Sequence, residues 1–103
     1  MTVTTEMLDL AELCQATFVS SEVVIEIVEQ GIIEPSGESP PDWRFDAQMV
    51  TIIRKATRLR QDLGVNWAGI ALVMDLLEQV EQLRVENRLL SRRLHRFLME
   101  DET

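Results

Sequence analysis

From Trp67 to Met99 the chain contains no proline and a single glycine, Gly69. Asn66 stands in front of this stretch as a helix N-cap. A helix of that span is about 50 Å long at a rise of ~1.5 Å per residue. A domain of this chain length has a radius of gyration of about 13 Å, so the helix is expected to reach beyond the domain in which it starts. Along it, Val73, Leu76, Val80, Leu83, Asn87, Leu90, Leu94 and Phe97 alternate steps of three and four. With Val80 as heptad position a, the a set is Val73, Val80, Asn87 and Leu94 and the d set is Leu76, Leu83, Leu90 and Phe97. β-branched residues and leucines with one polar Asn at an a position predict a two-stranded coiled coil, with these eight residues as the dimer seam. The other reading is a stripe that lies on the chain's own domain. Arg84 and Ser91 at e, with Glu86 and Arg93 at g, leave parallel and antiparallel pairing both open.

The preceding residues read as short elements. Asp9 caps a helix whose stripe is Leu10, Leu13, Cys14 and Thr17, and Phe18-Val19 interrupts it. Ser20-Ser21-Glu22 is a second helix start, and the helix runs to about Gln30, with Gly31 as the residue that ends it. Two short helices joined by a few residues form a helix-turn-helix candidate. Ile32-Ile33-Glu34-Pro35 reads as extended because a residue before proline is pushed toward β geometry. Ser36 to Asp42 is turn-rich, and Trp43-Arg44-Phe45 is expected to return as the second strand of a small wing. Asp46 caps a third helix with Met49, Ile52, Ile53, Ala56, Leu59 and Leu63 inward, and Gly64 ends it. The fold class is therefore mainly all-α, with a two-stranded wing. Residues 1–64 form the winged helix-turn-helix-like domain, and residues 65–103 form the long coiled-coil helix.

Charge and chemistry exclude several functions. The chain has 103 residues and a net charge of −8. Residues 1–50 hold ten acids and one base, Arg44, so the acidity belongs to that half. Phosphate neutralisation dominates nucleic-acid affinity, and ten Lys and Arg against eighteen Asp and Glu argue against a general nucleic-acid binder. One cysteine, Cys14, permits no internal disulfide, which fits a cytoplasmic setting. Neither a bilayer-spanning apolar run nor a secretory leader is evident, so no membrane partner is expected. His95 is the only histidine and is remote from Cys14, which leaves no zinc-type ligand set. The glycines form no phosphate loop. Neither a catalytic residue, a metal nor a cofactor is expected, so the protein reads as a non-enzyme.

The second helix carries the sharpest signal. In a helix-turn-helix this helix enters the DNA major groove. At 100° per residue, Val23, Val24, Ile27 and Val28 share its core side. Glu22, Glu26 and Glu29 lie opposite, with Ile25 beside them, and the helix has no Arg or Lys. Carboxylates there repel phosphate. The face reads either as an ordinary solvated acidic surface or as a docking face for a basic partner, with Trp43 and Phe45 of the wing as its aromatic contacts.

Leu10 to Pro35, closing on Gln30-Gly31-Ile32-Ile33-Glu34-Pro35, resembles a MerR-type winged helix-turn-helix. So do Arg44-Phe45-Asp46 and the run Arg58-Leu59-Arg60-Gln61-Asp62-Leu63-Gly64-Val65-Asn66-Trp67-Ala68-Gly69-Ile70. The acidic second helix departs from DNA-binding members. It points, with Glu86-Asn87-Arg88-Leu89-Leu90 and Arg93-Leu94-His95-Arg96-Phe97, to the chaperone modulators called CbpM. That resemblance implies a non-enzymatic inhibitor that binds the J-domain of the co-chaperone CbpA and competes with the DnaK-type chaperone. The alternative is a MerR-like DNA-binding transcription regulator in which Arg54, Lys55, Arg58 and the wing touch DNA. Sedimentation analysis should find two chains per particle, and a monomer at micromolar concentration would refute the heptad reading. Asn87→Val should keep the helix but loosen the choice of register or oligomer state.

Overall fold

The computed structural model describes residues 6–101. Its elements are α1 (Leu10–Thr17), α2 (Ser21–Glu29), a 3₁₀ turn (Pro40–Asp42), α3 (Ala47–Leu63) and α4 (Trp67–Asp101). Each α-helix starts where a short polar side chain meets the first free N–H groups. At α1 the cap is reciprocal: the Glu12 N–H donates to Asp9 Oδ1 at 2.8 Å and the Asp9 N–H donates to Glu12 Oε1 at 3.0 Å, a capping box. Ser20 Oγ accepts from the Val23 N–H at 3.3 Å, Asp46 Oδ1 from Met49 at 2.8 Å and Asn66 Oδ1 from Gly69 at 2.9 Å.

The helix ends are equally specific. After α2 the Gly31 N–H donates to the Val28 carbonyl at 2.9 Å and the Ile32 N–H to the Ile27 carbonyl at 3.2 Å. This is the paired arrangement that a left-handed residue allows, and Gly31 supplies it with φ 73°. Gly64 closes α3 in the same region, with φ 67°. After α1 the left-handed residue is Phe18, with φ 58° and ψ 33°. Among the described residues it is the one non-glycine with positive φ, a conformation that costs an L-residue with a Cβ about 1–2 kcal/mol.

The expected two-stranded wing is reduced to isolated pairings. Trp43-Arg44-Phe45 is extended, but consecutive residues of a strand direct their polar backbone groups to opposite sides. Arg44 therefore pairs with Ser36, its N–H donating to the Ser36 carbonyl at 3.0 Å and its carbonyl accepting from the Ser36 N–H at 3.3 Å. Phe45 pairs with Leu8 on the other side, by two bonds of 2.8 Å. Pro35 has no N–H to extend the ladder, and the 3₁₀ turn takes up Pro40 to Asp42.

By its contacts the chain divides after Leu72 into two compact units. The first holds every buried hydrophobic residue of the described chain: Leu13, Val19, Val24, Ile27, Ile33, Trp43, Phe45, Ile53, Ala56, Trp67 and Ile70. Here α1 packs against both α2 and α3. Of the inward residues expected on α3, Ile53 and Ala56 are buried, Met49, Ile52 and Leu59 are half-buried, and Leu63 in the last turn is exposed. The Arg60 guanidinium lies 5.1 Å from the centre of the Trp67 ring, a cation–π contact. In the second unit α4 continues alone, and every described side chain from Asp75 to Glu100 is exposed. Leu83 and Phe97 of its apolar stripe keep 62% and 64% of their surface exposed.

The tightest backbone position is Gly37, at φ 104°, where a Cβ would collide with the Asp42 carbonyl. Gly31 has positive φ but open space around it. Gly37→Ala should therefore lose more than about 1 kcal/mol in urea unfolding and more than Gly31→Ala. Equal losses would show that the loop yields freely.

Candidate functional site

The outer face of α2 is set by the way its inner face packs. Val24 and Ile27 are fully buried, and Val23 and Val28 are half-buried. At about 100° per residue, Glu22, Glu26 and Glu29 then fall within an arc of about 60° on the opposite side. All three are exposed, and Ile25 beside them is half-buried. Among the described residues none of the three carboxylates has an ion-pair or hydrogen-bond partner. Their charge is therefore directed outward without local compensation.

Bases of the same unit are mostly engaged by the protein itself. Arg44 donates through Nη1 to the Trp43 carbonyl at 2.8 Å and more weakly to that of Pro41 at 3.5 Å. Arg54 Nη2 donates to the Ala16 carbonyl at 2.9 Å, where the last carbonyls of α1 favour a cation. Arg60 covers Trp67. Lys55 and Arg58 stand exposed on α3.

Trp43 and Phe45 do not join the acidic face as surface contacts. Phe45 is 0% exposed and Trp43 8%, and their rings meet edge to face at 6.2 Å and 89°. Sequence alone places aromatics in the wing but not their direction, and here both rings gain more from the core than from solvent. Within the first unit the exposed aromatic among the described residues is a different one, which the sequence marks only as the end of α1. Phe18, in the turn between α1 and α2, is 96% exposed. Its available signal is positional: a large apolar residue where a chain reversal between helices favours glycine or asparagine.

Other sites offer less chemistry. A shallow groove of about 410 Å³ is lined by Asp9, Leu10, Ala11, Cys14, Ser21, Pro40, Pro41 and Arg44. Its charged members are already used, Asp9 in the α1 cap and Arg44 on backbone carbonyls. A larger hollow of about 660 Å³ is lined from Leu89 to Arg96 by α4 alone, and one helix cannot enclose a ligand. Among the described residues no group of three or more His, Cys, Asp or Glu is placed to hold a metal ion. Among the described residues no single helix is long and apolar enough to cross a membrane.

Comparison with known proteins gives this arrangement a class. Residues 8–92 match the family of MerR HTH family regulatory proteins. Within that class the chain is 50% identical over 91 residues to the chaperone modulatory protein CbpM of Pseudomonas putida strain F1, covering 88% of this chain and 90% of the relative. It is 50% identical over 90 residues to CbpM of Pseudomonas entomophila strain L48, covering 87% and 89%. To CbpM of Salmonella paratyphi B it is 44% identical over 89 residues, covering 86% and 88%. The chain belongs to the CbpM family.

Burial pushes the Cys14 thiol pKa up. The thiolate is the nucleophile, so less of it is present in the folded protein at a given pH. Alkylation by iodoacetamide at mildly alkaline pH should run several-fold slower in the native protein than in urea. Equal rates would show an open thiol.

Proposed function

We propose that this protein modulates chaperone action without catalysing a reaction: it binds the J-domain of the co-chaperone CbpA and competes there with the DnaK-type chaperone. Two lines support this reading. The relatives are chaperone modulatory proteins, and α2, the helix that reads DNA in a helix-turn-helix, presents three unpaired carboxylates. The second observation carries it. A J-domain offers a basic helix to its chaperone, and a surface of opposite sign speeds encounter and selects the partner. Glu22, Glu26 and Glu29, with Ile25 at their edge, are the contact residues.

The particle that binds is a homodimer joined along α4 through Val73, Leu76, Val80, Leu83, Asn87, Leu90, Leu94 and Phe97. Support for this comes from the heptad and from the apolar surface that the single chain leaves exposed on α4. The match to regulatory proteins favours one other reading, a transcription regulator that contacts DNA through Lys55 and Arg58 of α3. Tight sequence-specific operator binding at physiological salt would establish it.

Titration of the protein with the isolated J-domain of CbpA at two salt concentrations tests the proposal. Binding should weaken as salt rises. No binding at either concentration would refute it, and salt-independent affinity would remove the electrostatic role. The double reversal Glu26→Lys and Glu29→Lys should weaken binding roughly tenfold or more and leave the melting temperature unchanged, because both side chains are exposed.

A further inference from the structure

Carboxylates at an interface steer and select, while well-packed apolar or aromatic side chains hold the complex. The α2 face has three acids and only a half-buried Ile25 beside them. Trp43 and Phe45 are in the core. Phe18 is the large apolar side chain that stands free nearby, 96% exposed.

Among the described residues the ring has no burying partner, its surface being 96% exposed. The neighbours on either side are held in place: Thr17 Oγ1 donates to the Leu13 carbonyl at 2.8 Å, Val19 is buried, and Ser20 caps α2. The ring is therefore carried by a fixed turn, which lowers the ordering cost of binding. The backbone at Phe18 sits at φ 58°, where glycine would rest without strain. A residue that is costly for the backbone and idle in the core is best explained by a contact outside the chain. Glu22 lies four positions further along the chain, so the two Cα atoms lie within about 14 Å of each other. That distance falls inside one standard interface patch.

We infer that Phe18 is the aromatic anchor of the docking surface: its ring enters an apolar pocket on a protein partner whose rim carries Lys or Arg facing Glu22 and Glu26. This rests on the proposed use of the α2 face, and the partner is the J-domain named above. The acids supply the sign of the rim and the ring supplies the buried contact.

Phe18→Gly in the full-length protein separates anchor from scaffold. Glycine adopts the left-handed turn freely, so the melting temperature should equal or exceed that of the unmodified protein. Affinity for the J-domain of CbpA should fall by at least roughly tenfold, with the salt dependence retained because the carboxylates remain. Phe18→Tyr should keep most of the affinity, and sedimentation of both variants should match the parent. A smaller loss of affinity in Phe18→Gly overturns the inference. So does a lowered melting temperature, which would give the ring a role in the fold, and so does a changed sedimentation coefficient, which would make it a contact between copies of this chain. Absence of binding by the unmodified protein refutes the J-domain reading and the inference with it, whereas normal binding by Phe18→Gly refutes the inference alone.

Discussion

Phe45 joins three things that would otherwise be independent. Its backbone is bonded in both directions to Leu8 at 2.8 Å, which ties the entry to α1 into the middle of the domain. Its ring has no exposed surface and meets Trp43 edge to face. The next residue, Asp46, caps α3. One extended segment thus sets where α1 and α3 begin, and the contacts of α1 with α2 and α3 follow. Burial of a whole aromatic side chain is among the larger single contributions to a small core, and a domain of this size has few such contributions.

That arrangement also decides what α2 can present. With Val24 and Ile27 fully buried, the helix cannot rotate without exposing apolar surface, so Glu22, Glu26 and Glu29 are held outward. The same scaffold that presents a cationic helix to phosphate can present an anionic one to a cationic protein. The three carboxylates of α2 contribute nothing to the core, so their sign can differ without changing the fold. The bases that remain are largely occupied in stabilising the unit, Arg54 at the end of α1 and Arg60 on Trp67.

Much of the architecture is legible in the sequence, because it follows from local rules. Asp9, Ser20, Asp46 and Asn66 are capping residue types at the start of apolar periodicity, and each caps its helix. Gly31 and Gly64 stand where left-handed geometry is needed. The acidic arc of α2 could be read from helical angle alone. The wing could not: extended propensity in Trp43-Arg44-Phe45 does not tell which backbone will pair with it, and Leu8 lies too far away in sequence to be inferred. The aromatic part of the candidate site was misplaced for the same reason. Burial depends on which side of that segment faces α1 and α3, and alternation in three residues cannot choose the side.

The sequence by itself determined the helices, their ends, the sign of the outward face of α2 and an apolar heptad on α4. Periodicity and capping act within about four residues, so a linear chain already contains them. Only the tertiary structure decided which aromatics are available. Trp43 and Phe45 turn inward because the Leu8 and Ser36 pairings fix their segment in the core, and Phe18 stands outward at the left-handed residue of the α1–α2 reversal. Those outcomes depend on contacts between residues distant in the chain, and a pattern of neighbours carries no information about them.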